Sequence, residues 1–143
     1  MLVKQISVFL ENKSGRLAEV TKTLSANKID IRALYIADTT EYGILRMIVD
    51  KPDKAMDLLK RSGFTVSTTN VIAIAIADKP GTLDDALEIL SSGGISVEYL
   101  YAFVGRASTD AIVVIRVEMP EDAIRALEGA GIRVIDSKEV YGL

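Results

Sequence analysis

The organisation of this chain is set by one segment, Asp78-Lys79-Pro80-Gly81-Thr82-Leu83, which connects a predicted strand to a predicted helix. The apolar run of residues 71–77 precedes the segment, and a helical pattern of apolar residues follows it. Pro80 fixes φ and lacks an N–H group, which suits the start of a helix, and Gly81 lacks a Cβ atom, which lets another group approach the backbone. Because the first N–H groups of a helix have no helical partners and carry the positive end of its dipole, this turn favours a small anion such as a carboxylate.

The same arrangement occurs a second time near the N-terminus. The segment Asn12-Lys13-Ser14-Gly15-Arg16-Leu17 follows the alternating apolar residues Ile6, Val8 and Leu10 and begins another helical pattern. The chain therefore carries two copies of one strand-to-helix turn.

These turns belong to a longer internal repeat, the sequence signature of a duplicated architecture. A shift of 66 positions aligns the first part of each copy, and beyond the next turn the shift becomes 68 because two residues are inserted around residues 105–109. The aligned pairs include Leu24 with Leu90, Ile29 with Ile95, Tyr35 with Tyr101, Val49 with Val117, Pro52 with Pro120, Leu59 with Leu127 and Val66 with Val134.

Each copy has the periodicity of a βαββαβ module. In the first copy, alternation and helical spacing predict strands over residues 3–10, 29–37, 43–50 and 64–70, and helices over residues 15–27 and 52–63. Two crossovers of this kind produce an antiparallel sheet with both helices on one face. We therefore predict an α+β chain of two tandem ferredoxin-like modules, residues 1–70 and 71–143, the second repeating the first.

Composition excludes several classes of function. The 143 residues are 49% hydrophobic and 26% charged with a net charge of −3, and no basic stripe suggests a nucleic-acid partner. Cysteine and histidine are both absent, so thiol chemistry, Ser-His or Cys-His catalysis and the usual transition-metal sites cannot be built. The N-terminus lacks a signal-peptide pattern and the apolar runs are far shorter than the ~20 residues of a membrane span. We expect a cytoplasmic protein without metal, cofactor or membrane partner.

The strand at residues 71–77 is apolar on both faces. Ile72, Ile74 and Ile76 alternate with alanines, whereas helices cover only one face of such a sheet. The small side chains on the other face are consistent with a tolerant central strand, but we favour an oligomer contact and expect a homodimer.

With two βαββαβ modules, each with an Asx-x-(Pro/Ser)-Gly-x-Leu turn and an Ile-x-Ile or Ile-x-Val start to the second strand, the whole chain resembles a pair of ACT domains. Such domains are the amino-acid-sensing modules attached to phosphoglycerate dehydrogenase, aspartokinase and the small subunit of acetolactate synthase. The resemblance implies that a free amino acid binds where two modules meet, between the first turn of one module and the second strand of its neighbour. By position, this implicates Asn12, Ser14, Gly15, Arg16, Leu17, Asp30, Ile31, Asp78, Pro80, Gly81, Thr82, Leu83, Ser96 and Val97.

The chemistry of these residues suits a zwitterion. Backbone N–H groups at residues 15–17 or 81–83 can bind a carboxylate, and the side chains of Asn12, Asp78 or Asp30 can accept hydrogen bonds from an ammonium group. Asn12 and Asp78 are equally suited to a structural role in a turn, and Arg16 is typical of a solvated first turn. Ser14 stands where family members commonly have proline, which predicts a looser turn and a weaker or empty site.

Other notable residues have simpler structural explanations. Tyr35 and Tyr101 could line a pocket, but paired aromatics on strands more often belong to a core or an interface. Asp84 and Asp85, with Glu88, could attract a divalent cation, but an acidic first turn more often stabilises the helix dipole.

We therefore predict a regulatory sensor that binds an amino acid and acts on a separate enzyme of amino-acid metabolism. The principal alternative is a structural or assembly module that holds no ligand and works through its apolar sheet face. A small enzyme would need an acid or base near neutrality, and the available Asp, Glu, Lys and Tyr residues form no recognisable constellation.

Overall fold

A computed structural model describes residues 1–38, 41–104 and 110–143. The predicted insertion around residues 105–109 lies outside these ranges. The chain divides into two compact units. We call residues 4–69 the N-terminal unit, and residues 70–143 with residues 1–3 the C-terminal unit. Within the described ranges, no helix combines the length and the apolar character that crossing a membrane requires.

The elements of the N-terminal unit follow the βαββαβ order. They are β1 (Val3–Glu11), α1 (Arg16–Ala26), β2 (Ile31–Asp38), β3 (Tyr42–Val49), α2 (Pro52–Arg61) and the first part of β4 (Thr65–Ala77). The strand order is β2-β3-β1-β4, and β3 pairs antiparallel with both β1 and β2. The strand β4 is a single element of 13 residues that continues into the C-terminal unit.

The C-terminal unit repeats this topology. After β4 come α3 (Thr82–Ser92), β5 (Val97–Ala102), β6 (Asp110–Val117), α4 (Pro120–Gly129), β7 (Arg133–Val134) and α5 (Ser137–Gly142). The strand order is β7-β4-β6-β5, with β4 antiparallel to β6 and β7, and β5 antiparallel to β6. The predicted α+β class with two ferredoxin-like modules is confirmed.

Each unit has its own hydrophobic core, and repeat-related residues occupy equivalent places in the two cores. Leu24 and Leu90, on α1 and α3, are both fully buried, as are Leu59 and Leu127 on α2 and α4. Because an amphipathic helix buries one stripe against its sheet, the repeat seen in the sequence is largely a repeat of core positions.

The end of the C-terminal unit departs from the predicted repeat. Where a full last strand is expected, β7 has only two residues and is followed by the short helix α5. Asp136 caps this helix, since its Oδ1 accepts a hydrogen bond from the Lys138 N–H (3.4 Å), and Val140 anchors it by complete burial. A capping carboxylate favours a helix start over continued extension, which explains the difference.

The apolar sheet face is also less open than the sequence predicts. Ile72 and Ile74 lie in the core, but Ala73 on the opposite face is fully buried as well, and Ala75 and Ala77 are half-buried. The Ile135 N–H donates to the Ala73 carbonyl oxygen (2.8 Å), which places the segment after β7 beside β4. Ala73 is thus already buried within the single chain.

Candidate functional site

The two predicted turns share one backbone geometry. In each unit the N–H of the first helical residue donates back across the turn, at 3.3 Å to the Lys13 carbonyl oxygen and 3.4 Å to the Lys79 carbonyl oxygen. The intervening glycines are left-handed, with φ of 88° at Gly15 and 92° at Gly81. This combination is typical of a type II turn, whose third residue needs a positive φ.

The structure gives Pro80 a different role from the one predicted. Pro80 lies in the turn, and α3 begins only at Thr82, so Pro80 shapes the turn rather than the first helical position. A Cβ atom built on Gly81 would meet no protein atom within 4 Å, and the positive φ is by itself a reason for glycine at this position. Ser14 occupies the place of Pro80 without loosening the turn, because Gly15 has nearly the same φ as Gly81.

The turns themselves use part of the predicted donor cluster. The N–H groups of Arg16 and Thr82 close the two turns and are therefore already engaged. A carboxylate bound at either turn would have to rely on neighbouring N–H groups and on side chains.

A cleft of about 220 Å³ lies at the turn of the N-terminal unit, and we call it the turn cleft. It is formed by the end of β1, the turn, the first residues of α1, the end of β2 and the start of β3. Its lining residues are Leu10, Glu11, Asn12, Lys13, Arg16, Leu17, Ile36 and Gly43.

Three of the predicted site residues, Asn12, Arg16 and Leu17, line the turn cleft together. Ser14 and Gly15 lie in the same turn and are exposed. The backbone of Asn12 is held in place because its N–H donates to the Glu41 carbonyl oxygen (3.1 Å), which connects the turn to the residue before β3.

Arg16 is more constrained than a solvated first-turn residue. Its guanidinium carbon lies 4.6 Å from the centre of the Phe64 ring, its Nη1 donates to Glu19 (2.8 Å), and its side chain is only 28% exposed. Its Nε atom is buried and has no hydrogen-bond partner among the described residues. An unpaired buried N–H is costly, but a buried atom offers no surface to a ligand, so it is the accessible part of the Arg16 side chain that lines the turn cleft.

Glu11 supplies a carboxylate that the sequence analysis did not select. Its Oε2 lies 2.9 Å from the Lys13 Nζ. The hydrogen bond and the charge of this ammonium group lower the pKa of Glu11, and the charge of Arg16 lowers it further. The turn cleft thus holds an ionised carboxylate and a guanidinium group along the same segment of chain. In the sequence, the position of Glu11 directly before Asn12 is the signal that could have identified it as a site residue.

In the turn of the C-terminal unit, a side chain of the turn hydrogen-bonds to the backbone of the same segment. The Thr82 hydroxyl oxygen lies 2.6 Å from the Ala77 carbonyl oxygen and 3.0 Å from the Lys79 carbonyl oxygen, and its one hydrogen can donate to either. Asp78, Pro80 and Gly81 are exposed, and Leu83 is half-buried. Where the N-terminal unit has a guanidinium group, this unit has a hydroxyl directed at the backbone.

The second-strand residues of the N-terminal unit lie at a different cleft. Asp30 and Ile31 line a cavity of about 430 Å³ together with Thr21, Leu24, Ser25, Lys28 and Ile29, and we call it the β2 cleft. The Asp30 carboxylate already accepts a hydrogen bond from Arg32 (2.6 Å). Within this unit the structure therefore does not bring Asp30 and Ile31 to the Asn12–Leu17 turn.

The corresponding residues of the C-terminal unit have ordinary environments. Ser96 is exposed, and Val97 is half-buried and packs against the core of its own unit. In the described ranges, no group of three or more acidic residues has the arrangement of a metal site, so Asp84 and Asp85 read as first-turn acids of α3.

Comparisons with known proteins agree with this architecture. The sequence profile of the ACT domain pair family matches residues 1–142. A comparison with curated proteins found no match. Among solved structures, the chain is similar to protein BT0572 from Bacteroides thetaiotaomicron, with 41% identity, a TM-score of 0.93, and coverage of 100% of this chain and 98% of that one.

More distant structures share the fold. The regulatory subunit of aspartate kinase from Thermus thermophilus, in its ligand-free form, is 18% identical with a TM-score of 0.65, and the match covers 90% of this chain and 93% of that one. The regulatory subunit of aspartate kinase from Thermus flavus is also 18% identical, with a TM-score of 0.59 and coverage of 90% and 92%. Since the family profile spans nearly the whole sequence and both units show the predicted topology, the chain belongs to the ACT domain pair family.

Proposed function

We propose that this protein binds a free amino acid in the turn cleft and regulates a separate enzyme of amino-acid metabolism. The observation that carries the proposal is that the Arg16 side chain and the ionised Glu11 carboxylate line the same cleft. A free amino acid carries the two complementary charges, so its carboxylate can pair with Arg16 and its ammonium group with Glu11.

The N-terminal turn is the stronger of the two candidate sites. Arg16 offers donors there, whereas the equivalent Thr82 hydroxyl of the C-terminal unit uses its one hydrogen on a backbone carbonyl oxygen of its own turn. Clefts that hold drug-sized ligands measure roughly 300–1,000 Å³, so a cleft of about 220 Å³ suits a smaller molecule such as an amino acid.

Regulation would follow from differential affinity. A ligand changes the activity of a partner only if the bound and free proteins interact with that partner differently. The fold shared with the regulatory subunit of aspartate kinase supports a regulatory role, and the partner enzyme would be a separate chain.

The experiment is a thermal-shift screen with the twenty amino acids, followed by calorimetric titration of any hit. A specific ligand must raise the melting temperature in a concentration-dependent way. Arg16→Gln should reduce the affinity at least tenfold because it removes a charge-assisted carboxylate contact. Arg125→Gln is the control, since Arg125 also forms an i,i+3 ion pair, with Asp122 on α4, and does not line the turn cleft. No shift with any amino acid, or equal loss in both variants, would refute the proposal.

One observation favours the assembly role as a second candidate. Phe9 and Tyr42 stack with ring centres 4.7 Å apart and are 43% and 38% exposed. Phe9 alternates with the core residues Val8 and Leu10 and therefore lies on the sheet face without helices. Sedimentation velocity of the wild-type protein and of the Phe9→Ser variant tests this role. If the face mediates assembly, the wild-type protein should self-associate and the variant should not.

A further inference from the structure

We infer that the turn cleft selects amino acids with aliphatic side chains. The inference rests on the proposed function and concerns the part of the ligand that the charged residues do not bind. It starts from the division of the cleft lining into a charged part and an apolar part.

The charged part follows the turn. Glu11, Lys13 and Arg16 succeed one another within six residues, and each already forms an ion pair, at 2.9 Å between Lys13 and Glu11 and 2.8 Å between Arg16 and Glu19. A carboxylate has acceptor capacity for several donors, so Glu11 can keep Lys13 and still accept an ammonium group. The guanidinium group of Arg16 has several N–H donors, so it can keep Glu19 and still donate to the ligand carboxylate.

The apolar part consists of Leu10, Leu17 and Ile36, which come from β1, α1 and β2. Leu10 is nearly buried, whereas Leu17 is 38% exposed and Ile36 is 40% exposed. Leu17 and Ile36 are thus two of the large hydrophobic side chains that remain in contact with water, and both border one small cleft. An aliphatic group placed against them would remove apolar surface on both sides of the contact.

A polar ligand side chain would have no equivalent partner there. The charged residues of the cleft lie along the turn, so a charged side chain that faces Leu17 and Ile36 would lose hydration without a new ion pair. Each methylene group brought into contact with the apolar part should instead tighten binding by about fourfold.

The test compares the dissociation constants of valine, leucine, isoleucine and methionine with those of serine, threonine, aspartate, glutamate, lysine and arginine. We expect the aliphatic group to bind at least tenfold more tightly than the polar group. The variant Ile36→Ser should remove most of this preference, because it replaces one side of the apolar part with a hydroxyl. Ile36 is exposed, so its replacement should not prevent folding.

The matched control is Val104→Ser, which changes an apolar side chain that is 68% exposed and does not line the cleft. It should leave the preference unchanged. Tightest binding of a charged or polar amino acid that still depends on Arg16 would overturn the selectivity while the proposed function survives. A preference for aliphatic ligands that Ile36→Ser leaves intact would also overturn it, and absence of any amino-acid binding would overturn both.

Discussion

At the scale of single residues, Gly15 and Gly81 show how backbone conformation limits the two turns. Both have a φ near +90°, and neither would bring a Cβ atom within 4 Å of another group. Within the chain itself, the turns therefore depend on glycine for its torsion, since L-residues pay a steric penalty in this region.

Gly81→Ala should destabilise the protein by about 1–2 kcal/mol, because alanine resists the positive φ of the turn. Denaturant unfolding measures the effect. Gly129→Ala is the control, because Gly129 lies in the last turn of α4 and a Cβ atom there meets nothing within 4 Å. That variant should be neutral or more stable by up to about 1 kcal/mol. Equal losses in both variants would contradict the torsional explanation.

Lys28 is a non-glycine residue in a backbone conformation that favours glycine. It is the non-glycine residue with positive φ (57°) among those described, and the repeat aligns it with Gly94, whose φ is 71°. Lys28→Gly should therefore stabilise the N-terminal unit by about 0.5–1 kcal/mol, despite the larger entropy of glycine in the unfolded chain. Chemical denaturation checks this, and Lys22→Gly within α1 should instead destabilise.

At the scale of elements, α5 depends on its cap. The Lys138 N–H donates a hydrogen bond to Asp136, and this bond lowers the pKa of Asp136 below its ordinary value of 3.8. The hydrogen bond from the Ser137 side chain lowers it by a smaller amount. Because the folded state favours the charged form, the resulting stability is fully present above the unfolded-state pKa and is lost as the pH falls through the lower folded-state pKa.

Asp136→Asn should remove this pH dependence while keeping a capping side chain, since asparagine caps helices about as well as aspartate. The wild-type protein should lose stability relative to this variant as the pH falls below about 4. The chemical shift of the Val140 amide, which donates to the Asp136 carbonyl oxygen (3.0 Å), reports the state of α5 during an acid titration. Identical titrations of the two proteins would rule out a role for the cap.

At the scale of the whole molecule, the duplicated cores allow a paired test. Leu24 and Leu90 are equivalent in the repeat and fully buried in their separate units. Leu24→Ala and Leu90→Ala should each cost about 2–5 kcal/mol, the range for removing a buried leucine side chain. Leu17→Ala, in an exposed position on α1, should change the free energy of unfolding by at most about 1 kcal/mol. Urea denaturation monitored by circular dichroism provides the comparison, and a small loss at either core position would show that its unit tolerates a cavity.

Sequence reasoning reached the fold because its signals are local. The alternation of Ile6, Val8 and Leu10, the helical spacing of Val20 and Leu24, and the repeat between the two copies each report on neighbouring positions along one element. The exception is α5. Its capping residue Asp136 is a local signal for a helix, but the repeat predicted a strand at this place.

The candidate site could be predicted only in part from local sequence patterns. The turns were visible in the sequence, and so were Asn12, Arg16 and Leu17, which line the turn cleft. The remaining lining residues come from elements that meet through strand register, as when Ile36 pairs with Leu45 and Gly43 pairs with Leu10. No periodicity reports which side chains share such a cleft.

The order of strands and helices, the glycine turns and the duplication follow from the linear pattern of residues, because hydrophobic spacing and backbone torsion act over a few neighbours. The contact of Arg16 with Phe64, the ionised Glu11 beside Lys13, and the location of Asp30 at a separate cleft arise only from folding. Each of these features depends on how whole elements pack against one another. That packing depends on the shapes of all the side chains at once.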